Sequence, residues 1–184
     1  MAEGSPYEVV PVMIGENRID FASLAKVPTG IRCVPLRFFQ SFGFLWSLEI
    51  KENHFYTVGG KPHIQRISGS CGLGNVGILR DGKREEFQEV AIHIGSFVPA
   101  EIRDVLLYHE LREAHWIYFQ NRQQKEAHCL ARYEEMRYLN KFATAEDKEI
   151  YRKFSKEIES AEWRPKEVSK EDIKAGKIKN ISMI

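Results

Sequence analysis

The hydrophobic pattern of the chain changes at Gly95, and this change limits the folds open to it. Before Gly95 the apolar residues fall in short β-branched or aromatic runs separated by glycine, proline and polar residues, which is typical of strands. After Gly95 they recur every three or four positions, which is typical of helices. We therefore predict an α+β fold with a mainly antiparallel N-terminal sheet of about five to seven strands, packed on a C-terminal bundle of about three helices.

The chain of 184 residues is long enough for one domain of ordinary size. We assign residues 1–163 to a single α+β domain, with a β-rich part over 1–95 and a helical part over 96–163. Residues 164–184 are rich in lysine, and we predict that they form a weakly structured basic tail.

Two hairpins are predicted in the β-rich part, with turns at Gly59-Gly60 and Asp81-Gly82. Each turn joins two runs of strand character, namely His54–Val58 with His63–Ser68, and Val76–Arg80 with Glu86–Ile94. The aromatic run Phe38–Ile50 has mixed spacing, which leaves strand and helix equally open.

A glycine motif, Gly72-Leu-Gly74-Asn-Val-Gly77, has the spacing of a dinucleotide-binding fingerprint. That fingerprint requires a helix that begins at the glycines and presents its N-terminus to a pyrophosphate. The next residues, Ile78-Leu-Arg-Asp-Gly-Lys83, predict a hairpin instead. We interpret the glycines as a loop and expect no nucleotide there.

Three helices are predicted after Gly95. They run from Ile102 to about Asn121, from Gln123 to about Phe142, and from Thr144 to about Glu162. Ser96 is the expected cap of the first helix, and Pro99 suits its first turn. Thr144-Ala-Glu-Asp147 has the spacing of a capping motif, so it is expected to begin the third helix.

The first two predicted helices each carry a histidine within an apolar stripe. At about 100° per residue, His109 and Glu113 lie one turn apart on one face of the first helix, and His128 lies on the second helix. Two imidazoles and a carboxylate form a normal catalytic ligand set for Zn²⁺, and Fe²⁺ or Mn²⁺ accept it too. Glu110 follows the first ligand directly, where a carboxylate can accept a proton from an attacking water. We therefore predict a metal site with these three ligands and Glu110 as general base.

Two further residues, His115 and Glu135, are considered as neighbours of the predicted metal site. His115 lies six residues after His109, about 240° around a helix, so the two imidazoles cannot converge on one ion. We assign His115 to the surface or to a packing contact. Glu135 lies seven residues after His128 on the same face, and we expect it to orient a ligand imidazole or to add a ligand.

A purely structural network competes with the metal site. An ionised Glu113 removed from water needs a partner, because an unpaired buried carboxylate is strongly destabilising. Arg112, Arg132 or Arg137 is the alternative partner, in a His/Glu/Arg network without an ion.

The motif resembles the zincin-like metallopeptidases. More narrowly, it resembles small phage and mobile-element proteins with a His-Glu-x-x-Glu helix, an Ala-His-x-x-Ala helix and a glutamate one turn on. The matching residues here are His109, Glu110, Glu113, Ala127, His128, Ala131 and Glu135. The resemblance covers about 30 residues and implies a sheet packed on an active-site helix, with zinc bound by His109, Glu113 and His128. It also implies that Glu89–Ile94, the strand before that helix, lines the cleft, where His93 could lie near the site. The alternation of Val90, Ile92 and Ile94 with Ala91 and His93 is that of a half-buried strand, and we prefer this assignment for His93.

Composition excludes several classes of partner. The 27 basic and 26 acidic side chains nearly cancel, so no footprint for nucleic acid or an anionic membrane is expected. The N-terminus lacks a secretory signal pattern, and no apolar run is long enough to span a bilayer, so we expect a cytoplasmic protein.

Cys33, Cys71 and Cys129 are far apart and odd in number, and are expected to be reduced, buried thiols.

The function that these observations predict is a zinc-dependent hydrolase, a metallopeptidase acting on a protein or peptide substrate. The competing prediction is a non-catalytic viral or mobile-element interaction protein, with a structural metal or the His/Glu/Arg network. Oxygenase chemistry on iron is a third option that the same ligand set permits.

Overall fold

The structure, a computed structural model, describes residues 8–9, 17–26, 32–33, 44–158 and 166–167. Strands dominate these residues up to Gly95 and helices dominate after it, so the predicted α+β class is confirmed. The described helices are α1 (Phe21–Lys26), α2 (Arg103–Ala114), α3 (Gln124–Phe142) and α4 (Ala145–Ile158). The described strands are β1 (Glu8–Val9), β2 (Arg32–Cys33), β3 (Phe44–Lys51), β4 (Asn53–Val58), β5 (Lys61–Arg66), β6 (Gly69–Arg80), β7 (Lys83–Gly95) and β8 (Lys166–Glu167).

The described strands form two sheets. The larger sheet has the order β1-β2-β3-β7-β6, and the smaller has the order β4-β5-β8. In the larger sheet β2 and β3 pair antiparallel, as do β6 and β7, whereas β1 with β2 and β3 with β7 pair in parallel. The larger sheet is therefore mixed, and only the smaller one is wholly antiparallel. Strand β6 lies at one edge of the larger sheet.

Both predicted hairpin turns are confirmed. Gly59 and Gly60 have φ of 58° and 76°, and Asp81 and Gly82 have φ of 49° and 73°. Positive φ at both central positions is the geometry of the two-residue turn whose twist matches that of the flanking strands. The turns join β4 to β5 and β6 to β7.

The prediction that Gly72–Gly77 forms a loop is wrong. These residues lie within β6, where Gly72 pairs with Ala91 and Gly74 with Glu89. Glycine has a low strand propensity, and a glycine-rich segment lacks the alternating apolar side chains that indicate a strand. The sequence pattern alone therefore does not predict this strand. Pairing along the whole length of β7 overrides that weak preference.

The core lies between β7 and the helices. Alternate residues of β7, namely Val90, Ile92 and Ile94, are at most 2 % exposed and face α2. Helix α2 also packs against β6 and α3, so it is covered on several sides. The remaining buried core comprises Ile19, Phe21, Leu24, Trp46, Val98, Ile102, Val105, Leu106, Leu107, Leu111, Ala114, Tyr138, Leu139, Tyr151 and Phe154.

The first predicted helix is less regular than expected. A 3₁₀ turn over Ala100–Ile102 leads into α2, and no side chain caps either start, so the predicted Ser96 cap is wrong. The Ser96 carbonyl instead accepts a hydrogen bond from the side chain of Arg103. After α2, the segment His115–Phe119 continues as a π-helix, a feature that often marks functional sites.

The capping motif predicted for the third helix is confirmed. The Thr144 hydroxyl accepts a hydrogen bond from the Asp147 backbone N–H, and the Asp147 carboxylate accepts one from the Thr144 N–H. This reciprocal pair begins α4 at Ala145. The described part of α4 ends at Ile158, and residues 159–165 lie outside the described part.

A polar network connects the segment before α1 to the helices. The Arg18 guanidinium binds Asp104 of α2 at 2.9 Å and Asp147 of α4 at 2.7 Å. The Tyr138 hydroxyl of α3 donates to Asp104 and accepts a hydrogen bond from the Ile19 N–H. These contacts fix the three helices relative to one another.

Other predictions fall partly on residues outside the described ranges. The run Phe38–Ile50 contains β3 from Phe44 onward, and residues 38–43 lie outside the described part. In the region expected to be a tail, Lys166–Glu167 form β8 beside β5, and the rest lies outside it. No helix among the described residues is long and apolar enough to cross a membrane.

The expectation of reduced, buried cysteines is correct only in part. Cys71 is a half-buried free thiol, whereas Cys129 is free but exposed. The side chain of Cys33 lies outside the described part of the chain. Cys129 is exposed because it follows His128 directly on α3 and points away from the face that contacts α2.

Candidate metal centre

Three predicted ligand atoms converge between α2 and α3. On α2, the His109 Nε2 atom lies 3.2 Å from Glu113 Oε2. Across the helix interface, His128 Nδ1 of α3 lies 3.2 Å from His109 Nε2 and 2.8 Å from Glu113 Oε2. Two helices therefore direct two nitrogens and one oxygen to a common point.

This triangle has the size that a zinc site requires. Ligand atoms about 2.0–2.1 Å from zinc, at tetrahedral angles, lie about 3.3 Å from one another. The measured separations of 2.8–3.2 Å are slightly shorter, so an ion fits just above the plane of the three atoms with little movement of the side chains. Three protein ligands leave a fourth position open, which is the arrangement of catalytic zinc sites.

The three ligand side chains differ strongly in exposure. Those of His109 and Glu113 are 8 % and 11 % exposed, whereas that of His128 is 59 % exposed. The centre is therefore buried toward α2 and open to solvent beside His128.

The electrostatics of the cluster favour added positive charge. Burial disfavours the His109 imidazolium, but hydrogen bonds with Glu113 and Glu135 outweigh burial and raise the pKa of His109 to about 10. Burial opposes ionisation of Glu113, but its contacts with His109 and His128 lower its pKa to about 2. Lone pairs directed at one point repel each other, and either a proton or a cation relieves that repulsion.

Glu135 contacts the ring nitrogen of His109 that does not face the other two candidate ligand atoms. Its side chain is 1 % exposed, and its Oε2 atom accepts a hydrogen bond of 2.9 Å from His109 Nδ1. When His109 is neutral and carries its proton on Nδ1, the lone pair of Nε2 faces the other two ligand atoms. Glu135 is thus placed to orient a ligand and does not belong to the three-atom cluster.

Glu110 points from α2 toward β6. A Cβ built on Gly69 would lie 2.4 Å from Glu110 Oε1, so the absence of a side chain at Gly69 makes room for this carboxylate. Burial, together with the charges of Glu113 and Glu135, raises the pKa of Glu110 to about 8 against the opposing effect of His109. Because its pKa lies near neutral pH, the charge of Glu110 depends on cations beside it, such as the His109 imidazolium.

Two of the three arginines considered as partners of Glu113 bind other carboxylates, and the third, Arg137, lies over the ring of Tyr133. Arg112 forms a close ion pair with Glu134, and Arg132 contacts both oxygens of Glu135 at 3.0–3.1 Å. The contacts that Glu113 Oε2 makes are with His109 and His128. This arrangement leaves the centre of the cluster to the three ligand atoms.

The structure places His115 outside the cluster. His115 is 8 % exposed and packs against the rings of Trp116 and Phe119 in the π-helix. Its assignment to a packing contact is correct, and its assignment to the surface is not.

Strands β6 and β7 both pack against α2, and β6 contributes Gly69 beside Glu110. The predicted strand Glu89–Ile94 belongs to β7, whose backbone is already paired with β3 on one side and β6 on the other. His93 lies on the sheet face opposite Ile92 and Ile94, where it contacts Glu49 at 2.8 Å and Ser70 at 3.3 Å. The preferred assignment of His93 to a half-buried strand is therefore confirmed.

Several residues around the site were not predicted. Cys71 of β6 and Tyr118 of the π-helix both interact electrostatically with Glu110 and Glu113. Burial and these two carboxylates raise the pKa of the Cys71 thiol, which makes it a poor nucleophile. Tyr118 also hydrogen-bonds to the backbone of Leu73 on β6.

Comparison of the chain with protein-family models, with curated proteins and with solved structures gives no match. The resemblance to zincin-like metallopeptidases therefore remains a resemblance of motif.

Proposed function

We propose that the protein is a zinc-dependent hydrolase, a metallopeptidase that uses an activated water. The observation that carries this proposal is the convergence of His109 Nε2, Glu113 Oε2 and His128 Nδ1 within 3.2 Å of one another. A zinc ion held by such a set supplies Lewis acidity and lowers the pKa of its water to about 7.

The residues around the centre fit distinct roles. His109, Glu113 and His128 hold the ion, and the Glu135 carboxylate keeps His109 in the ligating tautomer. Glu110 accepts the proton of the attacking water, which a bound cation favours because it lowers the pKa of a nearby carboxyl group.

The position of β6 supports a peptide as the substrate class. This strand is at the edge of the larger sheet and packs beside α2, which carries two of the ligands. An edge strand presents backbone N–H and C=O groups that pair with an extended chain. A peptide aligned along β6 would lie beside α2, the helix that carries His109 and Glu113.

The competing function is a non-catalytic interaction protein that uses the same ion for stability. The burial of Glu110 favours this alternative, because a carboxyl group with a pKa of about 8 is largely protonated at neutral pH and then accepts no proton. The two functions share the metal site and differ in whether Glu110 is needed for turnover.

Metal content and peptide cleavage of three variants test the proposal. We expect His109→Ala to lose zinc, and Glu110→Gln to retain zinc while peptide cleavage falls by about 10²–10⁴-fold. The matched control is His115→Ala, a buried histidine that follows α2 directly but lies outside the cluster, and it should retain zinc. Elemental analysis and cleavage of a mixed peptide library measure both quantities.

Two outcomes would contradict the catalytic proposal. Zinc retained in His109→Ala at the wild-type ratio would show that the ion binds elsewhere. Zinc bound by wild type without cleavage, together with a melting temperature that collapses on chelation, would favour the structural role.

A further inference from the structure

Glu135 is the most completely enclosed acidic side chain of the candidate metal centre, at 0 % exposure. A carboxylate in such a place requires hydrogen-bond donors, because it has no water around it. Three side chains meet this need: His109, Arg132 and Tyr151. Two of them come from the helices of the metal motif, and Tyr151 comes from α4.

Tyr151 makes a short contact to the oxygen of Glu135 that His109 does not use. Its hydroxyl donates to Glu135 Oε1 at 2.5 Å, while His109 Nδ1 donates to Oε2 at 2.9 Å. Burial raises the pKa of Tyr151, and the charge of Glu135 raises it further, so the hydroxyl keeps its proton and remains a donor. Each oxygen of the Glu135 carboxylate therefore accepts a hydrogen bond, one from Tyr151 and the other from His109.

Tyr151 is better suited than Arg132 to fix the position of Glu135. The Tyr151 residue is 5 % exposed and its ring lies in the core, whereas the Arg132 side chain is 45 % exposed. A long, exposed side chain keeps much of its conformational freedom, whereas a buried ring has little. Arg132 supplies charge to Glu135, and Tyr151 supplies direction.

We propose that Tyr151 is a positioning residue of the metal centre, acting through Glu135 on the orientation of His109. The proposal rests on the proposed metal site and adds α4 to the elements that determine its affinity. When the Tyr151 hydroxyl is absent, Glu135 can rotate, and the Nε2 atom of His109 is no longer held toward Glu113 and His128.

The test is the zinc affinity of full-length Tyr151→Phe, measured by competition with a chromophoric chelator. Loss of a residue behind a metal ligand typically weakens metal binding about 10–100-fold, and we expect a loss in that range. The matched control is Tyr138→Phe, which also removes one buried tyrosine hydroxyl, here bonded to Ile19 and Asp104. Its zinc affinity should remain that of wild type.

A double-mutant cycle with Glu135→Gln separates positioning from general packing. If Tyr151 acts through Glu135, the Tyr151→Phe change has little further effect on zinc affinity in the Glu135→Gln background. The visible spectrum of the Co²⁺-substituted protein gives a second readout, and it should change in Tyr151→Phe but not in Tyr138→Phe.

Each alternative outcome overturns a defined claim. Wild-type affinity in Tyr151→Phe, or an equal loss of affinity with and without Glu135→Gln, would overturn the positioning role and leave the metal site intact. A wild-type protein that binds no zinc would overturn the proposed metal site and this role with it. Unfolding curves of all variants show whether a loss of affinity merely follows a loss of folded protein.

Discussion

At the scale of single residues, Gly69 of β6 determines where the side chain of the proposed general base, Glu110 of α2, can lie. Glu110 Oε1 lies 2.4 Å from where a Cβ of Gly69 would be, so Gly69→Ala must displace it. The displaced group is the far end of a flexible side chain, so we expect little change in stability. Peptide cleavage should fall by about 10–100-fold, because displacing a catalytic group by about 1 Å can slow a reaction that much. The zinc content should be unchanged.

Gly72→Ala is the matched control for Gly69→Ala. Both glycines lie in β6, and a Cβ on Gly72 would have no atom within 4 Å. Cleavage assays and zinc analysis of the two variants side by side measure the difference. Equal activity of both variants would show that the position of Glu110 does not matter to the reaction.

The residues of the site differ in how far the sequence could predict them. His109, Glu113 and His128 follow from helical spacing and ligand chemistry, and the structure brings their side chains together. Gly69 and Tyr151 reach the site only through the packing of β6 and α4, which are distant in sequence. Local periodicity carries no information about such contacts.

At the scale of elements, the start of α4 depends on the capping pair Thr144 and Asp147. The backbone N–H of Thr144 lowers the pKa of Asp147 most, and Arg18 lowers it further, against the opposing effect of burial. We expect Asp147→Asn to lower the free energy of unfolding by about 1 kcal/mol near neutral pH, since it weakens the cap and the ion pair.

This loss should depend on pH in a defined direction. A carboxyl group whose pKa is lowered by folding stabilises the protein fully above its ordinary pKa of about 3.9, and the stabilisation disappears as the pH falls through the folded value. The difference between wild type and Asp147→Asn, measured by urea unfolding, should therefore shrink below about pH 4. Glu146→Gln, in the same turn, is the control, and a difference independent of pH would contradict the role of ionisation.

Elements with local signals were predicted well, and those without such signals were not. The turns at Gly59-Gly60 and Asp81-Gly82 and the cap of α4 are encoded in two to four adjacent residues. The glycine-rich half of β6 has no such signal, because its strand conformation depends on pairing with β7. The π-helix after α2 likewise has no signal that the spacing of apolar residues reveals.

At the scale of the whole molecule, the order of strands and helices follows from the change of period at Gly95, but the topology does not. Strand β3 pairs in parallel with β7, with Phe44 opposite Gln88, and no turn motif indicates a pairing over that separation. The mixed sheet was therefore predicted as mainly antiparallel. The contact of α2 with α3 was easier to predict from the sequence, because metal ligands on two consecutive helices require the two helices to meet.

The proposed ion would link two helices, so metal binding and folding should be coupled. Two ligands come from α2 and one from α3, and a ligand that binds only the native state stabilises it by about 2.7 kcal/mol at 100 times its dissociation constant. For a chain of this size that corresponds to a rise in melting temperature of about 5–10 °C. Differential scanning calorimetry with zinc, then with excess chelator, should show the rise and its reversal. His109→Ala should show neither, and an equal rise in that variant would mean that zinc stabilises the protein from another site.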